Sequence, residues 1–142
     1  MTIEAILLPM FAQVALTFGL LFWMTILRLR VIRLGDVKPQ QVALREPAWP
    51  PHVLQVGNAF HNQIELPVLF YAVVLLALTT ETLDVILCVL SWMFVLSRFV
   101  HAYIHVTSNR LDHRTAVFLV GAIALALMWV IVIARILLFT SA

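Results

Sequence analysis

Charge is what this 142-residue chain has least of: 11% of its residues are Asp, Glu, Lys or Arg, whereas 63% are hydrophobic. A soluble domain of this length cannot bury so much apolar side chain, so a water-soluble globule is excluded and lipid must cover part of the surface. Cysteine is almost absent as well. With Cys88 alone, no intrachain disulfide can form and the redox compartment stays open. Cys88 lies in an apolar run and reads as a small buried residue rather than a reactive thiol. Neither sign of charge dominates, with nine Lys and Arg against seven Asp and Glu, so a nucleic-acid partner has no support. No basic segment precedes the first apolar run, which is also too long for a signal peptide, so the first helix is expected to be retained. Internal repeats and low-complexity segments are lacking too, which leaves a single domain over residues 1–142.

What is present is a set of four apolar runs, each near the roughly 20 residues that a helix needs to cross a bilayer. They predict helices from about Ala5 to Arg30, Val53 to Leu78, Leu83 to Val106 and His113 to Leu138. Between the first two lies a loop with Gly35, Pro39, Pro47, Pro50 and Pro51, the last two suited to a helix start. Thr79 to Asp84 forms a tight acidic turn whose carboxylates suit the start of the third helix. Asp112 is placed to cap the fourth. The fold class is thus an all-α membrane protein, a four-transmembrane-helix bundle.

Basic residues set its expected orientation. Arg28, Arg30, Arg33, Lys38 and Arg45 follow the first helix, and Arg110 and Arg114 follow the third. The other side carries Glu4, Glu81 and Asp84, with Arg135 near the end of helix four snorkelling to headgroups. By the positive-inside rule the basic loops are cytoplasmic and both termini are non-cytoplasmic, in the inner or plasma membrane if the source is bacterial.

Polar residues inside two of the spans carry the functional signal. In the second helix Asn58, Asn62 and Glu65 recur at i, i+4, i+7, with His61 beside them; in the third, Arg98, His101 and His105 recur at i, i+3, i+7. If the chain turns at Glu81 and Thr82, residues whose numbers add to about 163 lie at equal depth, because both helices rise about 1.5 Å per residue. Glu65 then faces Arg98, Asn62 faces His101 and Asn58 faces His105, an internal ladder closed by a Glu65–Arg98 ion pair. Ionisable groups in a span are costly and mark function by default. The competing reading is that such a ladder serves helix packing alone. A metal site is the other alternative, since His61/Glu65 and His101/His105 are i, i+4 pairs. The fixed cation Arg98 opposes it, and no metal is expected.

The same residues resemble a known family. Asn58-Ala-Phe-His-Asn-Gln-Ile-Glu65-Leu-Pro67 is similar to the helix-two signature of the MAPEG family, the membrane-associated proteins of eicosanoid and glutathione metabolism. Arg98-Phe-Val-His101, with Arg110 and Arg114 after it, resembles the second half of that signature. The resemblance spans nearly the whole chain and implies a homotrimer that binds glutathione between subunits near the cytosolic face. It places Asn62 and Glu65 on the tripeptide, Arg98 and His101 in the same pocket, Arg28 or Arg30 on a glutathione carboxylate, and Arg114 at the thiol. Two positions depart from the pattern: Asn58 stands where arginine is common, and His105 where tyrosine is common. Both leave room for glutathione but not for assuming the family's eicosanoid activities.

The implied chemistry follows from charge. A thiol of pKa about 8.5 is deprotonated more readily beside a guanidinium, and the thiolate is the nucleophile. The resemblance therefore implies a glutathione-dependent transferase or peroxidase acting on a hydrophobic small molecule that enters from membrane lipid, with glutathione as co-substrate. The alternative is a non-catalytic lipid- or glutathione-binding scaffold, which the family also contains. A channel or transporter ranks lower, because only one Glu and one Arg lie deep in the spans.

Overall fold

The computed structural model describes residues 3–43 and 48–139; Arg45 and Pro47 of the predicted loop lie outside them. Six helices follow one another: α1 (Ile3–Arg33), α2 (Pro39–Val42), α3 (Pro51–His61), α4 (Leu66–Thr79), α5 (Val85–Val106) and α6 (Leu111–Phe139). Four stretches are long and apolar enough to cross a membrane, namely Ile3–Arg33, Pro51–Thr79, Val85–Val106 and Leu111–Leu138. The four predicted spans are therefore present, with α1 about a turn longer at its basic end than its apolar run suggests.

The second span is not the continuous helix that its spacing predicts. It breaks at residues 62–65 into α3 and α4. Pro67 supplies the reason: it has no N–H to donate to the carbonyl of Gln63, and its ring would collide with that carbonyl in a continuous helix. The chain instead closes α3 with short turns, Gln63 N–H to Phe60 O at 2.9 Å and Ile64 N–H to His61 O at 3.0 Å. It then restarts with Pro67 in the first turn of α4.

Pro9 in α1 poses the same problem without breaking the helix. The carbonyl it leaves free is that of Ala5, and the Cys88 thiol of α5 donates to it at 3.4 Å. The lone cysteine thus serves as a weak donor between helices as well as a packing group.

The α4–α5 turn runs through Glu81 with φ +55°, and Asp84 caps α5 by accepting from Leu87 N–H at 2.9 Å, as its position predicts. Arg135 does not snorkel outward. Its guanidinium pairs with the Asp84 carboxylate and donates to Thr82 O at 2.7 Å, pinning the end of α6 to this turn. That hydrogen bond is the main cause holding the Asp84 carboxyl below the usual carboxylate range. At the other membrane face Asp112 is not a cap. It lies inside the first turn of α6 and pairs with Arg110 at 3.0 Å.

The main core fills the bundle's acidic-turn end, where Ile6, Phe70, Val73, Leu87, Phe94, Leu125 and Met128 pack together. Phe70 and Phe94 stack with centroids 4.7 Å apart, which agrees with the antiparallel register of the hairpin. Small residues bring the helices close elsewhere: Ala59 and Ala102 meet Leu20 where α1, α3 and α5 cross. Gly121 lets α6 approach α5 so closely that a Cβ there would overlap Ser97 Oγ. Large side chains such as Phe11, Phe22, Ile26, Leu96, Ile123 and Leu137 remain exposed around the outside, the pattern of a surface that meets lipid or another subunit.

Candidate functional site

α5 carries one continuous buried stripe that turns from apolar to polar along its length, from Leu87, Leu90 and Phe94 to Arg98, His101 and His105. Arg98 is only 1% exposed, yet none of its three guanidinium nitrogens has a hydrogen-bond partner among the described residues. Its charge lies 5.2 Å from the centre of the Phe118 ring, a cation–π contact that compensates part of the lost hydration. His101 also approaches Phe118, at 5.9 Å between ring centres, and meets His105 edge-on at 5.9 Å. Both imidazoles are buried with Nδ1 unpartnered.

A small cavity of about 180 Å³ opens between the helix-two break, α5 and α6, lined by Asn62, His101, Arg114, Thr115 and Phe118. Asn62 and His101 therefore share a site, as their equal depth predicts. Arg114 reaches it from the first turn of α6, steered by a 2.6 Å hydrogen bond from its Nη1 to Asn109 Oδ1. Asn109 itself sits at φ +50°, a left-handed conformation that asparagine tolerates.

The other two rungs of the ladder differ from expectation. Glu65 is exposed in the break, and no Glu65–Arg98 ion pair forms within 4.0 Å. The i, i+7 spacing from Asn58 holds only along an unbroken helix, and Pro67 removes that premise. Asn58 is exposed on α3, as is His61, and no hydrogen bond links Asn58 to His105. On α1 the two arginines separate. Arg28 is partly buried, stacked over Trp49 at 5.0 Å, with Nη2 beside Gly57 of α3. Arg30 is exposed and borders an outer groove with Ile26, Leu29, Arg33 and Leu34.

Sequence reasoning passed over two features. Phe118 lies four residues after Arg114, hence on the same helix face, a signal the apolar run around it hides. Gln13 and Gln63 are both buried and joined at 2.8 Å, whereas Gln13 in the sequence reads as a mild interruption of an apolar run. Among the described residues no group of three His, Cys, Asp or Glu could hold a metal ion.

The arrangement is a polar, positively charged pocket at a broken membrane span, with the Arg114 guanidinium, the His101 imidazole and the Asn62 amide around a small open space, and Arg98 and His105 buried on the same face of α5 as His101. Its chemistry suits a ligand that brings carboxylates or a developing anion. The class so defined is a polytopic membrane protein with a polar, positively charged cavity at a broken helix. The MAPEG family model matches residues 6–134, and the chain belongs to that family. Membership places it among the membrane proteins of glutathione and eicosanoid metabolism. No curated protein and no solved structure matches the chain.

Proposed function

We propose that the protein binds glutathione at the Asn62–His101–Arg114 cavity and uses it as a transferase or peroxidase on a hydrophobic electrophile drawn from the bilayer. The observation that carries this reading is Arg98: a buried guanidinium with three unpartnered nitrogens lies on the same face of α5 as His101 of the cavity, and the chain's own Glu65 does not pair with it. Glutathione would bring carboxylates to this side of the bundle. Asn62 offers an amide to the peptide, exposed Glu65 offers a carboxylate to the amino group, and His101 and His105 offer ring nitrogens. Arg28, turned toward α3, would meet a glutathione carboxylate, whereas Arg30 faces an outer groove.

Arg114 would place the thiol and favour the thiolate through its charge, helped by the positive end of α6. The thiolate attacks the electrophilic carbon and displaces a leaving group, or attacks a peroxide oxygen, breaking the O–O bond to release an alcohol and leave a sulfenic acid that a second glutathione converts to the disulfide and water. A homotrimer with the basic loops in the cytosol completes the proposal. Drug-sized pockets hold about 300–1,000 Å³, whereas this cavity holds about 180 Å³ within one chain. A neighbouring subunit closing over the exposed Asn58 and Glu65 would supply the remainder.

Glutathione conjugation of a generic aryl halide, measured for wild type and Arg114→Ala, tests the enzyme. We expect Arg114→Ala to lower kcat at neutral pH about tenfold or more, each pKa unit of thiol activation being worth about 1.4 kcal/mol. Measurable glutathione binding without wild-type turnover would replace the enzyme with a non-catalytic binding protein.

A further inference from the structure

We propose that Gln13 of α1 is a positioning residue: its hydrogen bond to Gln63 latches the helix-two break so that Asn62 enters the site. The assignment of Asn62 to glutathione rests on the function proposed above, whereas the latch itself does not. Gln13 lies ten residues into the first span, about 15 Å along the helix and well inside the hydrocarbon. An amide at that depth is expensive unless it is hydrogen-bonded. Gln13 is fully buried and Gln63 is 2% exposed. Gln13 Nε2 donates to Gln63 Oε1 at 2.8 Å, and Gln63 Nε2 donates to Ala59 O at 3.1 Å.

The bridge sits in the broken segment itself. Pro67 dictates that the helix must break near residue 63 but says nothing of the direction in which the freed segment turns. Gln63 supplies the direction, because its side chain is drawn toward α1 by Gln13 while the neighbouring Asn62 lines the cavity with His101 and Arg114. Irregular backbone at membrane depth persists only where protein or a polar cavity satisfies it, and here the two sides of the break meet both conditions. A loss of the latch leaves the proline in place, so the break stays while its orientation becomes free.

The test uses the full chain in lipid nanodiscs with two volume-matched variants, Gln13→Met and Gln13→Met/Gln63→Met. Methionine keeps the packing and cannot form the bond. The single variant leaves the buried Gln63 Oε1 without its donor and lowers Tm by several degrees; the double variant removes that carbonyl as well and recovers most of the loss. Glutathione KM rises about tenfold or more in both variants, with kcat changed less, since displacement of a binding group acts on ground-state affinity. Amide exchange at residues 62–66 accelerates in both. Recovery of KM together with Tm in the double variant would reduce the pair to a structural role and overturn the latch. Unchanged exchange at residues 62–66 in both variants would overturn it as well. Should the wild type not bind glutathione, the proposed function fails while the exchange measurement still decides the latch.

Discussion

Replacing Arg98 with methionine should make the ligand-free protein more stable and its ligand binding much worse. A guanidinium in a low-dielectric interior loses several kcal/mol of hydration, and here the Phe118 ring offsets part of the loss. Methionine is close to arginine in length, fills the slot beside Phe118 and leaves no stranded donor. Exchanges of buried ionic groups for well-packed apolar ones stabilise by about 1–4 kcal/mol. A rise of several degrees in Tm is therefore expected for the detergent-solubilised protein without ligand. The same change removes one half of a buried, charge-assisted contact, which costs about 2–5 kcal/mol of binding. At about 1.4 kcal/mol per tenfold, glutathione affinity falls by roughly 30-fold at the least. Arg98→Lys keeps the charge but not the planar fork and should fall between the two. Thermal unfolding with and without glutathione, together with titration calorimetry, reads both signs. Arg98→Met that is less stable than wild type without ligand, or that binds glutathione normally, would refute the reasoning.

The remaining predictions concern the supports of the site. Because a lowered carboxyl pKa contributes stability above the unfolded carboxylate value, the Asp84–Arg135 bridge should be at full strength above about pH 4–5 and fade as pH falls through the folded pKa. Asp84→Asn should thus cost about 1 kcal/mol at neutral pH, with the difference from wild type shrinking in acid; a pH-independent difference would contradict it. Gly121→Ala should lower stability by about 1–3 kcal/mol, because the added methyl meets Ser97 Oγ, and Gly121→Ala/Ser97→Ala should recover part of that loss. Gly57→Ala puts its methyl in ordinary contact with Arg28 Nη2, 3.4 Å away. Its Tm and glutathione KM should both change little, as thermal unfolding and steady-state kinetics would report.

Much of the architecture follows from elementary patterning. Four runs long enough for a bilayer dictate four spans, because a helix is the open-ended element that satisfies its own backbone in lipid. The polar spacing of α5 correctly placed Arg98, His101 and His105 on one buried face, and equal depth brought Asn62 to His101. Both inferences use distances along one helix or across one hairpin, which sequence separation measures directly.

What only the tertiary structure decided is whatever depends on an interrupted helix or a distant partner. Pro67 was visible in the sequence, but a membrane helix can absorb a proline as a kink or a break; the break, once chosen, carried Glu65 out of reach of Arg98. Gln13 and Gln63 stand 50 residues apart and look incidental in their own runs. Arg135 found Asp84 rather than the headgroups, 51 residues away. The chain's shortage of charge determines that it lives in lipid. Where its few polar groups meet is decided by packing, because in a low-dielectric interior each of them must find a partner wherever the fold brings one.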